Sequence, residues 1–177
     1  AFGSSALFTN PTGTQNSASG NWALYLNTTG ADNTAFGYEA LRGNTTAANN
    51  TAVGHLALRA NTTGKINTAV GKSTLGTNTT GNYNTAVGAY EAGVIAGALQ
   101  SNTTGGSNTA MGVGALGSNT TASNNTAVGY QAGYSNTTGN NNLFAGVSAG
   151  DSNTTGALNA LSGSFSGATN TTGSYNT

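Results

Sequence analysis

Residues 125–141 read NTAVGYQAGYSNTTGNN, and copies of this phrase fill the chain. Openings on its first Asn fall at Asn16, Asn33, Asn50, Asn67, Asn84, Asn108, Asn125, Asn142, Asn159 and Asn176, each step being 17 residues except the 24 between Asn84 and Asn108. A unit this short cannot bury a face by itself and must stack on its neighbours, so the period predicts a solenoid. One array over 1–177 is expected, a segment of a longer fibre: Asn176–Thr177 joined to Ala1–Gly3 would spell the NTAFG of 33–37.

Composition excludes several classes of function. Four basic and four acidic side chains give a net charge of zero, which offers no electrostatic case for nucleic acid or an anionic membrane. The abundance of Gly, Asn and Thr would suit a disordered chain, but such a chain gains nothing from holding Gly at a fixed period. With no cysteine there is neither a disulfide framework nor a thiolate metal site. The longest apolar run, Ala92 to Leu99, is far short of the ~20 residues that span a bilayer. The chain shows no initiating Met and no basic segment leading an apolar one, so a secretion signal or anchor is expected outside it.

Numbering the unit from its Asn, position 5 is Gly in every copy, including Gly37, Gly54, Gly71, Gly88, Gly112 and Gly129. Such a column implies positive φ or a contact too close for a Cβ. Position 12 is always Asn, position 14 always Thr, position 8 mostly Ala, and position 9 Leu except for Gly133, Gly150 and Gly167. Gly and Asn interrupt any helical period, so short strands are expected at positions 2–4 (TAV) and 12–14 (NTT), with turns at the glycines of positions 5 and 15. The fold class is then all-β: a parallel β-solenoid, or β-roll, of 17-residue coils about 4.8 Å apart.

Within TAV the Ala and Val point to opposite sides, making one column of Ala35, Ala52, Ala69 and Ala86 and another of Phe36, Val53, Val70 and Val87. A thin solenoid has one interior, so the second apolar column calls for a partner, most simply another copy. The columns led by Asn33, Asn50, Asn67, Asn84, Asn108 and Asn125, and those at position 12, read as inward amide ladders, Asn also tolerating left-handed corners. Variable positions 6, 7, 10, 11, 16 and 17 are expected to face solvent. The extra residues of the long copy align as an insertion at Ala89–Ile95, a surface loop carrying Tyr90 and Glu91.

At NTAVGYQAG the chain resembles the head repeats of YadA-like trimeric autotransporter adhesins, and with its NTTG elements it is similar to arrays in bacteriophage tail fibres and bacterial surface fibres. The resemblance covers the chain from Asn16 onward and implies a left-handed β-roll, three chains in one fibre, and an adhesive or spacer role at a cell surface or on a virion. The 17-residue period is longer than that of the usual adhesin head, and NTT is not part of that motif.

No residue pattern supports catalysis, a cofactor or a metal. His55 is the sole histidine and no carboxylate shares its column. Glu39 and Glu91 stand three copies apart, ~15 Å along the rod, too far for glycosidase geometry. Arg42 and Arg59, with Lys65 and Lys72, read as a basic patch, either a solvated face or a contact for an anionic glycan. The triplets at Asn27, Asn44, Asn61, Asn78, Asn102, Asn119, Asn136, Asn153 and Asn170 are N-glycosylation sequons, as are Asn49 and Asn124. Sugars on one ladder would crowd at ~4.8 Å spacing, which favours bare Asn. The leading expectation is an extracellular structural and adhesive fibre segment, trimeric and continued end to end, whose partner is a host-surface receptor or glycan. The alternatives are an ice-binding solenoid, from the Thr29, Thr46, Thr63 and Thr80 rank, and a densely glycosylated filament.

Overall fold

The computed structural model describes residues 1–89 and 96–177, and its regular structure is all-β. Nine three-residue strands, β1 (Ser17–Ser19), β2 (Thr34–Phe36), β3 (Thr51–Val53), β4 (Thr68–Val70), β5 (Thr85–Val87), β6 (Thr109–Met111), β7 (Thr126–Val128), β8 (Leu143–Ala145) and β9 (Ala160–Ser162), form one parallel sheet in sequence order. Every strand pairs residue for residue with the next copy of itself, Thr34 on Thr51, Ala35 on Ala52 and Phe36 on Val53. The fold is therefore a parallel β-solenoid. Register survives the long copy, where Thr85 pairs Thr109. Most of the expected insertion, 90–95 with Tyr90 and Glu91, lies outside the described residues.

The middle residue of each strand is buried and its neighbours face outward, as the alternation of a strand requires. Ala35, Ala40 and Leu41 of one coil, with their equivalents above and below, make a continuous apolar core. The outward column at position 4 stays open: Phe36, Val53, Val70, Met111 and Val128 are 37 to 53 % exposed.

The NTT element differs from expectation, being a bend and not a strand. Thr28 N, Thr29 N and Thr28 Oγ1 all donate to one acceptor, Thr45 O, at 2.8, 3.2 and 2.9 Å. Gly30 N reaches the same oxygen at 3.4 Å. A strand ladder needs successive peptides to engage different acceptors, and four donors converging on one carbonyl break that alternation.

Left-handed backbone is also not where the Asn columns stand. It recurs at positions 7, 9 and 17, as in Glu39 (φ 54), Leu41 (φ 52) and Asn49 (φ 61), and even at the β-branched Ile66 (φ 57). Each of these residues sends its amide to a neighbouring coil: Glu39 N to Asn21 O, Leu41 N to Ala57 O and Asn49 N to Ala31 O. The residues between them close turns inside the coil, Ala40 N on Gly37 O and Arg42 N on Glu39 O. A left-handed residue costs ~1–2 kcal/mol. Full burial of Leu41 contributes about 1.5–3 kcal/mol, enough to offset it.

At position 5, Gly37 has φ +135, and a Cβ there would lie 2.5 Å from Gly54 O in the next coil. Both demands inferred from the glycine column, unusual φ and close approach, hold at once.

The last coils exchange volume between two positions. Phe144 replaces Ala at position 3 and is fully buried, and a Cβ on Gly133 or Gly150 would sit inside its ring. Leu161 stands in the same relation to Gly167. The left-handed φ of Gly133 (+59) is one that Leu41 adopts at the same unit position, so space and not backbone excludes Leu here. Phe144→Ala should lower stability by about 3–5 kcal/mol. Adding Gly133→Leu restores the usual pairing with Leu116 below and should recover part of that loss in thermal unfolding followed by circular dichroism.

Candidate functional site

Two of the expected site classes are interior structure. In the position-1 column, Asn67 Nδ2 donates to Gly81 O at 2.9 Å and to Asn50 Oδ1 at 3.2 Å. Its backbone N also reaches Asn50 Oδ1, and its own Oδ1 accepts from Asn84 N at 2.9 Å. Asn33, Asn50, Asn84, Asn108 and Asn125 repeat the arrangement and have no exposed surface. In the position-12 column, Asn61 Nδ2 donates to Gly64 O and Asn44 Oδ1. The glycines Gly54, Gly71, Gly88, Gly112 and Gly129 share the positive φ of Gly37.

Eight of the NTT sequons, Asn27, Asn44, Asn61, Asn78, Asn102, Asn119, Asn136 and Asn153, are fully buried, and Asn170 is half-buried. The Nδ2 that would carry a sugar is in each case a ladder donor, so a glycan there is incompatible with the folded coil. Asn49 and Asn124, at the left-handed position 17, are exposed.

The side chains with chemistry to offer gather on the turn face of the first coils, unit positions 6 to 10. Trp22 and Tyr38 have ring centroids 5.8 Å apart at 50°, and Tyr38 stacks on His55 at 5.2 Å and 14°. Phe8 stacks on Tyr25 at 5.5 Å. The Arg42 guanidinium carbon lies 5.7 Å from the Trp22 ring centre and 5.9 Å from that of Tyr25, within cation–π range.

The expected basic patch is thereby divided. Arg59 Nε pairs with Glu39 Oε2, whereas Arg42 has no carboxylate partner among the described residues, and its buried Nε has no hydrogen-bond acceptor among them. Lys65 belongs to position 16, outside the turn segment. Glu39, expected to face solvent at position 7, is only 6 % exposed, its carboxylate accepting from Arg59 Nε of the next coil. Burial pushes the Glu39 carboxyl up, but hydrogen bonds with Arg59 and Tyr38 and the charges of Arg59 and Arg42 outweigh it and hold it below the usual range. The same hydrogen bond with Glu39 raises the Tyr38 phenol.

Reading the variable columns one at a time gives part of this face and misses the contact that crosses them. Two of the contacts lie within a column, Tyr38 on His55 at position 6 and Tyr25 beside Arg42 at position 10, while the one between columns joins Trp22 at position 7 to Tyr38 at position 6 one coil on. No protein-family model, curated protein or solved structure matches the chain.

Two outcomes follow. Asn67→Ala strands buried partners on two sides and should cost about 3 kcal/mol in urea unfolding; Asn67→Asp, though equal in size, should cost more because it buries a charge and sets an acceptor oxygen against Gly81 O and Asn50 Oδ1. A carboxyl whose pKa is depressed by folding stabilises the protein above its unfolded pKa, ~4.3, and loses that contribution as pH falls through the folded value. The melting temperature should therefore drop on acidification below about pH 4, and Glu39→Gln should flatten that acid limb.

Proposed function

We propose that the chain is a segment of an extracellular structural and adhesive fibre on a cell surface or virion, in which three copies pack side by side and continue end to end. The observation that carries this reading is the outward apolar column. Phe36, Val53, Val70, Met111 and Val128 stand in register on one sheet and are exposed, with Val87, half-buried, between Val70 and Met111. A continuous apolar strip of this kind is stabilised by burial against another surface, and a second copy offers the same strip at the same spacing. Three chains and a left-handed coil are what the resemblance to adhesin heads and tail fibres implies. The reading assigns no catalysis and no cofactor, and leaves the turn face to meet a receptor or glycan.

An ice-binding reading draws on Thr29, Thr46, Thr63 and Thr80, which are exposed in one rank. The adjacent position-13 hydroxyls are turned onto ladder carbonyls, so the rank is single file and not a broad array. A thermal-hysteresis measurement tests it. The glycosylated-filament reading is disfavoured by the buried sequons.

Sedimentation equilibrium at micromolar concentration should give three times the 17.2 kDa chain mass. Val70→Lys places a charge in the strip and should lower the mass to that of one chain while leaving the circular dichroism unchanged. A wild-type monomer would overturn the reading.

A further inference from the structure

We infer that Trp22, Tyr38, His55 and Arg42 form a binding site for an acidic oligosaccharide, a sugar chain bearing carboxylates. This deepens the adhesive reading and rests on it for biological purpose, but its physical argument is separate. The first element is the aromatic row. Trp22 is 36 % and Tyr38 39 % exposed, with His55 exposed beside them. Contact between Tyr38 and His55 orders both rings in advance, which reduces the entropy lost on binding. The 50° tilt of Trp22 against Tyr38 prevents a closed stack, so aromatic surface remains open to the apolar C–H flank of a sugar ring. The row advances by one coil per ring, and an extended sugar chain lying along the rod would present successive units to successive rings.

The second element is charge. Glu39 is already paired with Arg59, and Arg42 has no carboxylate at ion-pair distance among the described residues, so Glu39, Arg59 and Arg42 together leave one net positive charge. The Arg42 guanidinium lies against the rings of Trp22 and Tyr25, with a buried Nε that lacks an acceptor among the described residues. A planar donor fork fixed between rings suits a carboxylate, which it can bind through two parallel hydrogen bonds. Arg42 among the rings, with Lys72 one coil beyond His55 in the position-6 column, is a small local positive charge that fits a sugar acid better than a polyanion such as nucleic acid, whose recognition needs many cations.

Trp22 is the only tryptophan of the chain, so its fluorescence reports on the site directly. Wild type is titrated with oligogalacturonate, with maltohexaose as the neutral sugar and poly-glutamate as an anion without sugar. The substitutions Tyr38→Asn and Arg42→Gln use residues found at the same unit positions elsewhere, Asn21 and Gln100, so the coil tolerates them. A saturable fluorescence change with oligogalacturonate, weakened about tenfold or more by each substitution and left intact by Val70→Lys, is the expected result. Absence of a saturable change, equal affinity in both variants, or equal binding of maltohexaose or poly-glutamate would overturn the site. Mass in solution is measured on the same samples. An oligomer that ignores the oligosaccharide overturns this site alone, and a monomer that binds it supports the site while removing the fibre packing.

Discussion

The buried asparagine amide is the interaction on which the rest of the molecule depends. A coil that contributes two alanines and a leucine to its interior is too thin to be stabilised by apolar burial alone. The remaining interior is filled by two side-chain amides per coil, each both donor and acceptor. One NH2 group can close its own corner carbonyl and reach the amide of the coil before, while its oxygen receives the coil after. Asp lacks the donor, and Ser lacks the reach and the second donor hydrogen. Burying polar groups in every coil costs little only because each is fully satisfied, and that condition is met only when a neighbour is present.

The same condition explains a backbone that would be unfavourable in isolation. Three left-handed residues per coil, at positions filled by Glu39, Leu41, Asn49, Ile66 or Tyr83, would be strained in a free peptide. Stacking converts each one into a hydrogen bond to the coil above or below. Position 17 can vary widely because its task is done by the peptide group, and its side chain points to water. Position 9 varies only by exchange with position 3, as Phe144 with Gly133 and Gly150 shows.

The architecture was legible from the period alone, and strand placement followed from TAV because alternation in a three-residue strand leaves one choice of inward residue. The inward Asn columns could also be read, since an amide repeated in every copy has no reason to face solvent. The NTT bend was not legible. Thr-rich triplets suit a strand by propensity, and only the geometry shows four donors converging on Thr45 O. Nor could left-handed Leu41 be foreseen, since leucine has no intrinsic preference for that region and takes it because its side chain enters the core. The turn face was half legible: its residues were seen to vary, but variation marks an outward position without saying which outward residues meet. Trp22, Tyr38, Tyr25 and Arg42 come together only once neighbouring coils are set side by side.

Amide-ladder hydrogen bonds between coils join residues one period apart, 17 in sequence at Asn33 as at Asn159, and 24 across the long copy. Chain closure therefore demands a small loop for each added coil, and its entropic cost does not grow with the length of the array. Most folds with parallel strands are slow to form because distant segments must find each other. Here the distance is short and, apart from the long copy, constant, so folding can proceed as a zipper: a costly first pair of coils, then repeated addition in either direction. Lengthening such a rod changes how long folding takes in proportion to coil number and leaves the difficulty of each step unchanged.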